Sequence, residues 1–336
     1  MGNALGSALS IYVTGKSCMI SPMFRATSAA DLTQLPMPLH LALGVFDGVH
    51  RGHQSVIASS LESAARCGGT CVVVTFEPHP IRVLAPERAP RQLLASLDHK
   101  CRLLHRMGVQ GLLALRFDAA LAAMSAEAFF AMLREAGTIA SIAVGEDWRF
   151  GRERKGDVSF LRRHGEPFGM QIHALPPLMH EGERISSTRI RQSIRDGALA
   201  NAAAMLGRAY SIEGEVIHGE QRGRTLGFPT ANLALHDEQL PPDGVWIVDV
   251  HGEAGRWHGI ANLGLRPTIG DTKRSLEVHL FDMNEDLYGK ILEVEFLHHL
   301  RPEKKFAHLD ALKTQITQDA EDARLWLDQR ESGSIH

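Results

Sequence analysis

The sequence predicts an α/β unit followed by an all-β unit that ends in a helix, and three observations lead there. From Leu39 to about Gly207, short apolar runs alternate with helix-like segments, the rhythm of a parallel sheet covered by helices. After Tyr210 the runs are strand-like and separated by turn residues, the pattern of an antiparallel barrel. The 336 residues exceed what one core usually serves, about 250, and suffice for two. The expected division is an N-terminal extension without fixed structure at 1–22, an α/β unit at 23–205 and a barrel unit at 206–331. Met23 is a candidate native start.

Taken in order, Leu39–Leu43 reads as a strand and Gly52–Arg66 as a helix closed by Gly68 and Gly69. Valine-rich Thr70–Phe76 is a buried strand, Ser96–Met107 a helix, Gly111–Phe117 a strand, and Ala126–Glu135 a helix capped by Ser125. Ser141–Gly145 and Gln171–Leu175 are strands around a short helix near Val158–His164, and Ala198–Met205 is a helix. The barrel strands are Glu213–His218, Val245–His251, Trp257–Asn262, Leu276–Phe281 and Ile291–Leu300. Phe306–Leu327 closes the chain, its apolar residues at helical spacing through Leu309, Leu312, Ile316, Ala320 and Ala323.

Composition removes several classes of function. With 44% hydrophobic and 22% charged residues the chain reads as an ordinary cytoplasmic globular protein. A net charge of −3 gives no electrostatic reason to expect nucleic acid as a partner. No apolar stretch reaches the roughly 18 residues that span a bilayer, so no membrane is expected. Four cysteines form no disulfide framework or zinc pattern. A homo-oligomer is left open.

The chemistry starts at Gly44–His53, where glycines and two histidines follow the first strand and open a helix. Gly44, Gly48 and Gly52 let backbone approach an anion, the helix N-terminus presents free N–H groups, and His50 and His53 add donors; Asp47 lies inside the run. This is a phosphate site for ATP. A second clamp follows at Arg184–Arg191, where Ser187 and Thr188 offer hydroxyls at a helix start and Arg184 and Arg191 offer charged forks. No carboxylate pair competes in this unit, and transfer of a nucleotidyl group needs none, since a phosphate acceptor is already a nucleophile. The loops Pro78-His79-Pro80 and Gly145–Gly151, with Asp147, also follow strand ends and should face the same crevice.

In the barrel unit Gly219, Gly223 and Gly227 permit close approach to phosphate, Arg224 adds charge, and Thr230 and Asn232 are hard oxygen donors suited to Mg2+. Strand alternation puts Leu276, Val278 and Leu280 on one face and Glu277 with His279 on the other, so Glu277 is a candidate base for an alcohol acceptor.

His50–His53 and Ile185–Arg191 resemble the H-x-G-H and I-S-S-T-x-x-R elements of the nucleotidyltransferase superfamily, and Gly223–Asn232 with Leu276–Asp282 resembles riboflavin kinases. From about Leu39 through Ala323 the chain is similar to the bacterial bifunctional riboflavin kinase/FMN adenylyltransferase (FAD synthetase) family. That resemblance implies a Rossmann-like nucleotidyltransferase domain that moves AMP from ATP to FMN, and a six-stranded riboflavin kinase-like barrel that makes FMN, both with ATP and Mg2+. It implies ATP contacts for His50, His53, Arg184, Ser187, Thr188 and Arg191, and flavin contacts for Pro78–Pro80 and Asp147. Thr230 and Asn232 fall on the metal–ATP site and Glu277 on the base. Val45, Glu220 and Trp246 depart from residues common in the family. The alternative is an adenylyltransferase for another phosphate-bearing acceptor, its barrel a flavin-binding regulatory module; the pair Asn232 and Glu277 speaks against it.

Overall fold

A computed structural model describes residues 23–219, 227–268 and 271–333; the expectation for residues 1–22 lies outside the described residues. The first unit is a six-stranded parallel sheet of β1 (Phe24–Ala26), β2 (Leu39–Leu43), β3 (Thr70–Glu77), β4 (Gly111–Arg116), β5 (Ile139–Gly145) and β6 (Gln171–Leu175), in the order β1-β4-β3-β2-β5-β6. Period-two alternation serves both faces of this sheet. Leu39, Leu41 and Leu43 pack with Phe129, Phe130 and Phe160, whereas Ala42 packs with Ile57 and Leu104 on the other side. The covering helices are α1 (Arg51–Cys67), α2 (Pro80–Leu84), α3 (Leu97–Arg106), α4 (Ala119–Ala123), α5 (Ala126–Arg134) and α6 (Val158–Gly165). Ser96, Ser125 and Asp157 accept N–H groups at the starts of α3, α5 and α6. The strand order reverses between β2 and β5, so a crevice opens beyond their C-terminal ends.

A short hairpin, β7 (Met179–His180) with β8 (Glu183–Arg184), leads into α7 (Ser187–Arg195) and α8 (Leu199–Leu206). Six antiparallel strands then close a barrel: β9 (Ser211–Ile217), β10 (Ala231–Leu233), β11 (Gly244–Gly252), β12 (Gly255–Thr268), β13 (Asp271–Leu280) and β14 (Ile291–Arg301), in the order β10-β13-β12-β11-β14-β9. Helix α9 (Leu309–Glu331) lies outside it, its Ala323 and Leu327 packed over Val245, Ile247, Ile260 and Phe281. Asp319 of α9 accepts two bonds from Arg301 at 2.9 and 2.7 Å.

The sequence expectation missed β1, β7, β8 and β10, each of two or three residues, too short to show alternation. It also stopped β12 at Asn262, whereas pairing with β13 carries the strand on to Thr268.

The two units share apolar and polar contacts. Ile190 and Ile194 of α7 and Leu199, Met205 and Leu206 of α8 belong to the same packed cluster as Trp246, Val248 and Phe296 of the barrel. Around it run ion pairs: Arg102 with Glu213, Arg106 with Glu293, and His99 donating to Glu293 at 3.1 Å, where Ser211 donates at 2.7 Å. Burial raises the Glu293 carboxyl, but the bonds from His99 and Arg106 outweigh it and hold it below the usual carboxylate range. Glu293→Ala strands the buried His99 and Ser211 donors, and the expected loss is about 2–4 kcal/mol in urea unfolding of the whole chain.

Candidate active sites

The loop after β2 doubles back sharply. Phe46, Gly48 and Val49 are all left-handed, at φ 53°, 76° and 44°. Gly48 is required there, since a Cβ would come within 2.6 Å of Leu94. A Cβ at Gly44 would meet the Phe46 ring at 2.9 Å, and one at Gly52 the His50 ring at 3.2 Å. The three glycines therefore shape the turn and leave room for the first imidazole.

His50 caps α1 by accepting the His53 N–H on Nδ1 at 3.2 Å, so its neutral ring carries the proton on Nε2. The two imidazoles stack with centroids 3.5 Å apart, and the Phe46 ring stands edge-on to His53 at 5.4 Å. Burial lowers His50 to about 4, with Arg184 and Arg208 acting in the same direction. Burial, His50, Lys100 and Arg184 likewise push His53 well below its ordinary value. Both rings are neutral donors at pH 7.

Helix α7 supplies the second jaw. Ser186, not Ser187, is its N-cap, accepting from the Arg189 N–H at 3.3 Å. Ser187 instead donates to the Asp47 carbonyl at 3.1 Å, and buried Arg191 donates to the Asp47 carboxylate at 2.6 Å and to Thr188 Oγ1 at 3.3 Å. The Asp47 carboxylate also takes the Leu94 N–H at 2.8 Å. Arg184 is exposed and paired with Asp147 at 2.5 Å, which keeps that carboxyl low through the hydrogen bond first. His79 caps α2, and burial lowers its pKa, with Lys100 and Arg191 contributing, so the Pro78–Pro80 loop faces the same charges. Trp148 stacks on Phe150 at 4.7 Å beside Asp147. Contacts among Asp47, Ser187, Thr188 and Arg191, the stacked His50 and His53, and the charges of Arg184 on His50 and of Arg191 on His79 gather these residues about the loop that follows β2, where the strand order reverses.

The barrel site is built by register. Asn232 of β10 and Asn262 of β12 are the cross-strand partners of Glu277 on β13, and in-register residues of neighbouring strands share a face. Leu276 and Val278 fill the interior, so this row lies on the outer wall. There Glu277, Asn262 and Thr230 line a cavity of about 340 Å³, roofed by Phe306, Leu312 and Ile316 from the α9 side. A second cavity of about 400 Å³ also reaches Thr230 and is lined by Met283, Asp286 and Tyr288. His279 donates from Nδ1 to the Pro229 carbonyl at 2.9 Å, tying the loop before β10 to β13. A Cβ at Gly219 would overlap the Asn232 amide at 2.3 Å, so glycine gives that amide its place. Gly227 is left-handed, at φ 89°. Gly223 and Arg224 lie outside the described residues.

Two residues were not picked out by the sequence reading. Asn262 needed the strand register, which no local pattern shows. Lys100 is buried on α3 and donates to the Val45 carbonyl at 2.9 Å; a lysine on an apolar helix stripe was the available signal.

A histidine-lined phosphate loop at a sheet reversal, joined to a barrel that sets a carboxylate between two amides, defines a two-centre nucleotide-dependent transferase. A FAD synthetase family model matches residues 33–189 and a riboflavin kinase family model residues 206–327. The bifunctional riboflavin kinase/FMN adenylyltransferase of Escherichia coli K12 is 40% identical over 297 residues, covering 88% of this chain and 95% of that protein. Its Bacillus subtilis counterpart is 34% identical, over 84% of this chain and 90% of its own. A crystal structure described as a macrolide-efflux protein from Streptococcus pneumoniae matches with a TM-score of 0.76 at 33% identity, over 90% of this chain and 99% of that one. The chain belongs to the bifunctional riboflavin kinase/FMN adenylyltransferase family. Among the described residues no helix is long and apolar enough to cross a membrane.

Because the folded protein holds His50 at about 4 against 6.5 unfolded, protonation favours the unfolded chain. The stability tied to neutral His50 is complete above pH 6.5 and is lost as pH falls toward 4, by on the order of 3 kcal/mol. The melting temperature should fall across that window. His50→Asn, which keeps a cap acceptor without a titrating ring, should flatten the fall.

Proposed function

We propose that the barrel unit, residues 206–331, phosphorylates riboflavin to FMN and that the α/β unit, residues 23–205, adenylylates FMN to FAD, each with ATP and Mg2+ in the cytoplasm. The observation that carries the kinase reading is that two cavities meet at Thr230 beside Glu277. Both fall within the roughly 300–1,000 Å³ usual for small-molecule sites. The first takes the flavin, with the ribityl 5′-hydroxyl toward Glu277, and the second takes ATP.

Glu277 then accepts the hydroxyl proton as the oxygen bonds to the γ-phosphorus and the bond to the β-phosphate oxygen breaks, releasing ADP. Thr230 and Asn232 fit a magnesium ion as hard oxygen donors, and Gly219 leaves the Asn232 amide the space it occupies. When bound, Mg2+ neutralises charge on the phosphate oxygens of ATP.

In the crevice the FMN phosphate attacks the α-phosphorus of ATP and pyrophosphate leaves. The neutral His50 and His53 donate hydrogen bonds to the phosphates, the N-termini of α1 and α7 add their N–H groups, and Ser187, Thr188, Arg184 and Arg191 supply further donors. The loop Pro78–Pro80 and Asp147 border the flavin. Arg184 is held by Asp147 without substrate and exchanges that partner for phosphate.

The two activities should separate. Glu277→Ala should cut FMN formation from riboflavin by roughly 100-fold or more and leave FMN-to-FAD conversion intact; His53→Ala should do the reverse. Chromatographic separation of flavins after incubation with ATP and magnesium reads both, and loss of both activities from either change in folded protein would refute the division. Gly219→Ala, by displacing the Asn232 amide, should lower FMN formation roughly 10-fold and spare FAD formation.

A further inference from the structure

We propose that Arg208 is a positioning residue for adenylyl transfer: from the segment leading into the barrel it holds the Gly48–Val49 turn in the shape that presents His50. The inference rests on the reading of Gly44–His53 as the adenylyl-transfer site. Its basis is the set of donors to the loop's carbonyls. Val45 accepts from Thr75 at 2.8 Å and Lys100 at 2.9 Å, Phe46 from the Val49 N–H at 3.2 Å, and Asp47 from Ser187 at 3.1 Å. All of these donors lie before residue 206. The Gly48 carbonyl, by contrast, takes its bond from Arg208 Nη2 at 3.0 Å, and the Val49 carbonyl takes Arg208 Nη1 at 3.4 Å beside Gln54 Nε2 at 2.8 Å.

Val49 is β-branched and left-handed, a conformation that persists only where its surroundings hold it. Arg208 and Gln54 are what hold it. Gln54 also grips the Leu206 carbonyl at 2.7 Å, and two residues beyond Arg208 the buried Tyr210 donates to Gln239 at 2.5 Å. The guanidinium is therefore anchored on both sides by the junction of the units. Among the described residues no carboxylate pairs with it, since Glu293 is engaged by His99, Arg106 and Ser211. Its Nε is buried without a partner. The charge is felt at His50, which also faces Arg184 and the stacked His53; Arg208 itself faces Glu293, Glu295, Tyr210 and Arg106.

The test uses the full chain with Arg208→Gln and Arg208→Lys, assaying riboflavin phosphorylation and FMN adenylylation in the same samples. Arg208→Gln should lower kcat for adenylylation roughly 10- to 100-fold, with KM for FMN changed by less than about threefold and phosphorylation unchanged. Removing a cation that disfavours imidazolium raises the His50 pKa, so the acid limb of adenylylation should move to higher pH. Arg208→Lys keeps the charge but not the two-pronged fork, and should restore the acid limb and only part of kcat. Adenylylation within about twofold of wild type in Arg208→Gln, equal losses in both activities, or an Arg208→Lys limb that follows Arg208→Gln would each overturn the proposal. Failure of the unaltered chain to convert FMN to FAD would instead overturn the site reading beneath it.

Discussion

The joining of the loop after β2 to helix α7 hangs on the buried contact between Asp47 and Arg191. Taking two charges out of water is costly unless their remaining hydrogen-bonding capacity is met. It is met here by a backbone N–H from Leu94 and by the Thr188 hydroxyl, so the pair fixes the loop after β2, the segment before α3 and the first turn of α7 to one another. Two helix N-termini, 140 residues apart in sequence as counted from Asp47 to Ser187, are thereby aimed at one space.

The barrel site reaches the same end by other means. Its polar row is set by strand register, which lines up Asn232, Glu277 and Asn262. Hydrogen-bonded ladders hold these side chains on the outer wall while Trp246, Val278 and their neighbours pack the interior. Chemistry on the outside of a closed barrel leaves the core free to be fully apolar.

Much of this was legible in the sequence. His50 and His53 announce themselves by lying between a strand and a helix among glycines, and Glu277 by alternation with leucines and valine. The alternating rhythm before Gly207 and its loss after Tyr210 give both architectures. What was not legible depends on contacts between distant segments. Ser187 reads as a hydroxyl offered to phosphate at a helix start, but packing gives it the Asp47 carbonyl as partner and leaves the cap to Ser186. Asn262 acquires meaning only once β12 and β13 are in register. The cavity beside Glu277 is invisible because half of its wall comes from Arg301 and the residues after it, Leu312, Ile316 and Asp319 of α9 among them, far beyond Glu277 in sequence.

The apolar cluster that takes in α7, α8 and the end of the barrel has a mechanical meaning. Ile190 and Ile194 flank Arg191 on the same helix and pack into this cluster, so the barrel backs the helix that carries it. A fusion that merely tethered two enzymes would be indifferent to linker length and orientation. This one is a joint, and a change in the size of a barrel side chain such as Trp246 or Phe296 would be felt in α7 and α8, which pack into the same cluster.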